Sequence, residues 1–309
     1  MLSTKPDKKQ QSRQRNMAEL IMSKVFMLCA FVSIAALLLI AVFLFSSGFP
    51  AFGEIGLFNF LWGTRWTPLD AQAYFGIRPM IVGTLITTTG AMILGVPIGI
   101  FTAIFLAYMC PKPAYVFLKP AVNLLAGIPS VVYGFFGMMV IVPIVRSMSF
   151  AIAGFGAGFS LLSAALLLSI MILPTIIAIS ESAIKAVSRD YYQGALALGA
   201  SHVRSVFSVV VPAAKSGIFA SVILGIGRAV GETMAVVMVA GNQAAMPLSP
   251  LLPYGLMSGG RTLTANIVIE MGYAQAGIHR NAIIATGIVL FVFILLINVV
   301  FNIINRRRG

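Results

Sequence analysis

Charge is scarce in this sequence: 9% of its 309 residues are charged, where soluble domains carry about 25%. What charge there is has mostly one sign, with 21 lysines and arginines against 8 acidic residues. Hydrophobic residues make up 59%. A soluble fold would need a very large core to hide them, so the expectation is an integral membrane protein. The net charge of +13 raises nucleic acid as a partner. Its distribution argues against that, because the basic residues sit at the ends of apolar runs and form no patch with interleaved aromatics. Cysteine is nearly absent. Cys29 lies inside the first apolar run and Cys110 at the end of another, which excludes a disulfide framework and zinc-ligand spacing. The only histidines are His202 and His279. No H-E-x-x-H, C-x-x-C or G-x-x-x-x-G-K-[ST] occurs, so neither a metal site nor ATP hydrolysis by this chain is expected. A nucleophile–base pair is also missing. Ser180 and Glu181 read as the interfacial edge of a span, and a membrane-embedded enzyme is disfavoured.

What is present is long apolar runs. Residues 1–24 form a polar, basic tail with Lys5, Lys8, Lys9, Arg13, Arg15 and Lys24. This tail is too long and mixed for a signal-peptide leader, so the next run, Val25 to Phe45, reads as an uncleaved first helix (within 25–47). Five more spans are expected, near Met80–Tyr108, Ala121–Val145, Phe159–Ser180, Ile218–Ala240 and Ala282–Ile304. The fold class is therefore an all-α membrane protein with six transmembrane helices. Lysine and arginine set the orientation. With the N-terminus inside, fifteen fall in inside segments, five outside (Arg65, Arg78, Arg146, Arg261 and Arg280), and Arg228 is left over. Both termini are expected in the cytoplasm. The outside arginines are expected to be solvated loop residues. Of the two long outside segments, Ser46–Pro79 carries Trp62, Trp66 and Tyr74 and suits a membrane interface.

Glycine and proline punctuate the middle spans, as in GVPIG (Gly95–Gly99) and GIPSVVYG (Gly127–Gly134), and Pro174 is expected to break the fourth. Two readings stand. Small residues allow close helix packing. Alternatively, broken helices line a path, since backbone freed in lipid needs a neighbour or a water-filled cavity.

The inside segment SRDYYQGALALGASHVRSVFSVVVPAAKSG predicts two short helices, from about Arg189 to Leu198 and from His202 to Val210. Ser188 suits the first helix start and Gly199 the bend, and Pro212 ends the second helix or starts the next turn. An amphipathic loop lying on the membrane surface is one explanation. The segment also resembles the cytoplasmic loop of bacterial ABC importer permeases, which reads Glu-Ala-Ala, three residues, Gly, nine residues, Ile-x-Leu-Pro. Gln193, Gly194, Ala195, Gly199, Val209, Val211 and Pro212 occupy those positions, with Gln193 and Gly194 replacing the glutamate and first alanine. The resemblance implies a coupling loop near 188–212 that docks on a separate ATPase subunit. Gln193 removes any salt bridge from that contact.

The remaining oddity is GRAVGETMA, Gly227 to Ala235, inside the fifth apolar run. An intramembrane charge costs at least about 2.5–3.5 kcal/mol, so Arg228 needs compensation. At i+4 of a helix, Glu232 would project from nearly the same face. One explanation is an ion pair that only neutralises itself, although apolar residues do as well in that role. The other is an anion path, which charges at this depth usually mark. A guanidinium fork matches a tetrahedral oxyanion. Hydrogen phosphate can donate a hydrogen bond to the carboxylate, whereas sulfate would meet it as a bare like charge. Thr233 adds a hydroxyl. This segment and GIPSVVYGF (Gly127–Phe135) resemble the PstC-type permeases of phosphate-specific ABC importers, over roughly Arg78 to Asn302. The resemblance implies a type I importer permease core (78–304) in the bacterial inner membrane. It also implies a PstA-like sister permease, two ATP-binding subunits, an extracytoplasmic phosphate-binding protein and no cofactor. A permease for sulfate or molybdate, or a stand-alone carrier, is the alternative.

Overall fold

The fold is given by a computed structural model, which describes residues 8–154, 156–247 and 253–308. Part of the basic tail, residues 1–7, lies outside the described residues. In chain order the elements are α1 (Lys8–Ile55), α2 (Leu57–Trp62), β1 (Trp66–Thr67), β2 (Tyr74–Phe75), α3 (Arg78–Ile104), α4 (Lys112–Gly127), α5 (Ser130–Phe136) and α6 (Val142–Ala153). There follow α7 (Leu161–Lys185), α8 (Arg189–Ala197), α9 (His202–Ser205), α10 (Val211–Ala213), α11 (Lys215–Gly231), α12 (Met234–Val239), α13 (Pro253–Leu256), α14 (Leu263–Met271) and α15 (Ile278–Arg308). Three π-helical turns, Phe105–Met109, Gly137–Ile141 and Val206–Val210, are spliced into this series.

Five stretches are long and apolar enough to cross a membrane: Glu19–Ile55, Arg78–Met109, Ser130–Ile152, Leu161–Lys185 and Ile278–Phe301. A sixth is bent by 70° between His202–Ala213 and Lys215–Gly231. The expected spans at 80–108, 159–180 and 282–304 agree with these to within a few residues. The first helix instead runs ten residues past Phe45, through Pro50.

Two boundaries differ from expectation. The third span starts at Ser130, because Ile128 is extended (φ −70, ψ 127) ahead of Pro129 and ends α4. The residue before a proline is pushed out of the helical region, and here that separates α4 from the span. Pro174 does not break the fourth span: α7 runs unbroken through it.

The centre of the bundle is α7. It is surrounded by α3, the third span, α11 and α12, and its Leu167, Leu168, Met171, Ile172 and Ile176 are buried. Close packing of α3 on α7 depends on small residues. A Cβ at Gly95 would stand 3.0 Å from the Ser169 carbonyl oxygen, and one at Gly99 would stand 2.7 Å from Ile176 Cγ2. The packing reading thus holds for GVPIG. The long α1 lies along α15, where Gly48 approaches the backbone of Ala285.

Two smaller cores close the ends of the bundle. At one end the β1–β2 hairpin (Trp66 opposite Phe75) joins Phe60, Ile77, Met80, Leu263 and Ile283. At the other, Ala103 and Ile104 of α3 meet Ile184, Val206, Val210 and Ile218.

Candidate functional site

Arg228 lies on α11, thirteen residues beyond its first residue, Lys215. At ~1.5 Å per residue this is ~20 Å along the helix. Its Nη1 donates to Thr175 Oγ1 at 3.0 Å. Thr175 lies near the middle of α7, so the guanidinium sits well inside the bundle. Tyr133 on α5 is within electrostatic range of it. Tyr133 is buried and donates to the Leu125 carbonyl across the α4–α5 break at 2.7 Å. Sequence reasoning missed both Thr175 and Tyr133. Thr175 follows Pro174, and Tyr133 belongs to the glycine-rich GIPSVVYG, so proximity to these prolines and glycines was the available signal.

The expected helical pairing of Arg228 with Glu232 is not formed. α11 stops at Gly231 and Glu232 is extended (φ −70, ψ 129), which turns its side chain out of the i+4 position. No carboxylate lies within ion-pair distance of Arg228 among the described residues. Glu232 Oε1 instead accepts from Ala235 N at 3.2 Å, capping the start of α12. The hydroxyl of Thr233 donates to the Gly231 carbonyl (3.2 Å), and that of Thr264 on α14 to the Glu232 carbonyl (3.1 Å). The fifth span is thus a discontinuous helix, and side-chain hydroxyls satisfy the carbonyls freed at its break. Arg228, Glu232 and Thr233 are half-buried and beside one another along the chain. The neighbouring Gly227 and Gly231 have nothing within 4 Å of a built Cβ. This face of the chain is open.

Two ionic networks brace the ends of the bundle. Glu181, expected at the interfacial edge of a span, is 2% exposed. It binds Lys119 and Lys185 Nζ, each at 2.6 Å, and accepts from the Tyr115 hydroxyl at 2.8 Å, which ties α4 to α7. Ser180 is likewise buried, against Ser221 Oγ at 2.7 Å. At the hairpin end, Arg261 departs from the solvated role expected of it. It donates to Glu270 Oε1 (2.6 Å), Asn266 Oδ1 (3.0 Å) and the Asn242 carbonyl (3.1 Å). The other Glu270 oxygen faces His279 Nε2 at 3.2 Å. Arg78, Arg146 and Arg280 remain exposed.

Burial would raise the Glu270 carboxyl. Polar contacts from Tyr273 and Trp66, with the bond and charge of Arg261, outweigh it and hold the group below its usual value of 4.5. The Trp66 indole N–H approaches without reaching full hydrogen-bond geometry. Burial and the Glu270 charge push Tyr273 up to about 12, so it stays a neutral donor. A carboxyl whose folded pKa is depressed stabilises the fold above its unfolded pKa and loses that contribution as pH falls through the folded value. Glu270→Gln is therefore expected to lower the melting temperature at pH 7. The gap to wild type should close as pH drops below about 4.5. A gap unchanged between pH 7 and pH 3.5 would contradict this.

In the segment 188–212 the first helix and the bend form as expected, whereas the second helix passes through the π turn Val206–Val210 and continues through Pro212 to Ala213. Ser188 caps α8 by accepting from Asp190 N, and Gly199 takes the left-handed φ of +84 that makes the bend. Gln193, Gly194 and Gly199 are exposed, as is Pro212, whereas Ala195, Val209 and Val211 are half-buried. Two residues that sequence reasoning passed over stand out from the surface: Tyr191 is 60% and Leu198 91% exposed.

Comparison with known proteins agrees with this architecture. A probable ABC transporter permease, YqgH of Bacillus subtilis, is 36% identical over 283 residues, covering 91% of this chain and 88% of the relative. The phosphate transport system permease protein PstC of Mesorhizobium japonicum is 35% identical over 273 residues, covering 84% and 81%. A bacterial alginate ABC transporter crystallised with an alginate-bound periplasmic protein shares the fold (TM-score 0.60, 16% identity, 97% of this chain and 96% of that one). So does the inward-facing MetNI methionine transporter (TM-score 0.55, 18% identity, 74% and 93%). The family model for binding-protein-dependent transport system inner membrane components matches residues 95–309, from α3 through the bent fifth span to the last helix, and the chain belongs to that family.

Proposed function

We propose that this chain is the PstC-type permease of an ATP-driven phosphate importer. It forms the path with a PstA-like sister permease, on two ATP-binding subunits, and receives its substrate from an extracytoplasmic phosphate-binding protein. Both termini and the 188–212 loop face the cytoplasm, in keeping with the excess of lysine and arginine on that side. Gln193, Gly194, Ala195 and Gly199, with Leu198 at the tip, dock on the ATPase. Val209, Val211 and Pro212 anchor the loop to the bundle.

One observation carries the substrate assignment: Arg228 holds a guanidinium well inside the bundle with, among the described residues, a single neutral hydrogen-bond partner, Thr175, on an open face beside a helix break. An unpaired cation there is costly unless an anion visits it. Its free N–H groups match the oxygens of a tetrahedral oxyanion. Glu232 and Thr233 stand at the break. The Glu232 carboxylate accepts a hydrogen bond from hydrogen phosphate and repels fully ionised sulfate.

A second reading has its own observation. Glu232 caps α12 through the Ala235 N–H, and a cap alone explains a carboxylate at that position. Glu232→Gln separates the two, because the amide oxygen still caps the helix while the charge is gone. The proposal expects the variant to reach the membrane normally and to admit sulfate in competition with phosphate. Unchanged phosphate uptake with sulfate still excluded would leave Glu232 a cap and nothing more.

A further inference from the structure

The helix α8 has two unlike faces. Tyr191 and Leu198 point outward, whereas Tyr192, the next residue after Tyr191, packs against the Ala103–Ile104–Val206–Val210 core. Its ring lies 5.3 Å from that of Tyr108, which sits in the π turn Phe105–Met109 that ends the second span. Its hydroxyl is 2.7 Å from Nδ1 of His202, the first residue of α9, and the two rings meet edge to face at 5.8 Å. One side chain therefore ties α8 to α9 and to α3. Behind this joint a cleft of about 460 Å³ separates α8 from the bundle, lined by Tyr108, Lys185, Arg189, Gln193 and His202. Around that space α8 meets the bundle through the Val206–Val210 turn and through the Tyr192 side chain.

From Tyr108 the path inward is rigid. The second span packs on α7 through Gly95 and Gly99 at close approach. α7 in turn holds Thr175, the hydrogen-bond partner of Arg228. A π turn inside a helix is a frequent mark of a functional position, and here two of them, Phe105–Met109 and Val206–Val210, flank the joint.

We infer that Tyr192 is a positioning residue that transmits movement of the ATPase-docked loop to the second span, through its ring on Tyr108 and its hydroxyl on His202. This rests on the proposal that the 188–212 loop docks on the ATPase. Tyr192 touches neither substrate nor nucleotide, and its effect is on the yield of transport per ATP.

The test uses the complete transporter in proteoliposomes, measuring phosphate moved and ATP hydrolysed in the same samples. Tyr192→Ala is expected to lower phosphate moved per ATP by about tenfold, within the range typical of a coupling free energy, while hydrolysis continues. Tyr192→Phe keeps the stack on Tyr108 and is expected to recover most of the ratio. Should Tyr192→Ala fail to assemble, Tyr108→Ala breaks the same stack from the other side and is expected to show the same loss. An unchanged ratio in whichever of these alanine variants assembles overturns the inference. Leu198→Asp, on the outward face, reads the docking proposal separately. If it still retains the ATPase, the loop does not dock there. If it sheds the ATPase while Tyr192→Ala remains fully coupled, docking stands and the joint does not.

Discussion

Arg228→Gln is expected to reduce phosphate uptake by at least ~100-fold, the equivalent of ~2.7 kcal/mol, while leaving membrane abundance within about twofold of wild type. The asymmetry follows from the surroundings of the side chain. Among the described residues Arg228 makes one neutral hydrogen bond, to Thr175, and no ion pair. Its loss therefore strands no buried carboxylate, the circumstance in which breaking an ion pair costs about 3–5 kcal/mol. Gln keeps a donor for Thr175 and much of the volume. What it lacks is the charge and the fork of donors, so only a role that uses them is affected. Arg228→Lys is expected to recover little, because an ammonium is a point charge without the planar fork. Labelled phosphate uptake, with immunoblots of the same membranes, checks both variants.

The other large effect is on the fold. Gly95→Val is expected to destabilise the chain by about 3 kcal/mol, the upper end of the usual cost of overpacking. A Cβ at Gly95 would stand 2.7 Å from Ile172 Cδ1 and 3.0 Å from the Ser169 carbonyl oxygen. Ile172 can change rotamer, but the Ser169 carbonyl belongs to the unbroken α7 and cannot move by itself. The second and fourth spans must separate, and that loosens the central core. Gly227→Ala is the contrast: nothing lies within 4 Å of its built Cβ, so the isolated chain should tolerate it. Its effect, if Gly227 faces the sister permease, appears only on assembly. Thermal stability of the purified single chain separates the two. Equal melting temperatures for both variants would refute the packing argument.

The sequence made some of this legible and hid the rest for identifiable reasons. Long apolar runs and flanking charges located the spans, because the bilayer sets their length. The bend of the 188–212 loop was readable at Gly199, which takes the backbone geometry its residue type suggests. The third span was misplaced because apolar content runs on through 121–127, and only Pro129 acting on Ile128 shows where the helix stops. Pro174 misled in the opposite direction, since a proline inside a packed helix need not break it. The break at Glu232 carries no proline, and helical spacing alone therefore suggested a pair that the fold does not make. The hydroxyls that hold it, Thr233 and Thr264, are 31 residues apart in sequence. The role of Glu181 was hidden because Tyr115 and Lys119 come from α4, although Lys185 stands at i+4 on α7. Arg261 reaches back to the Asn242 carbonyl and forward to Glu270 on α14, a pairing that no helical spacing announces.

The central claim is that this permease, with its ATPase, moves phosphate and rejects sulfate. Uptake of both labelled anions at low external concentration, in cells where this chain is the sole permease of its type, tests it most directly. The account predicts ATP-dependent phosphate uptake that excess sulfate does not reduce. Uptake of sulfate, or phosphate uptake that persists when the ATPase subunit is removed, would contradict it.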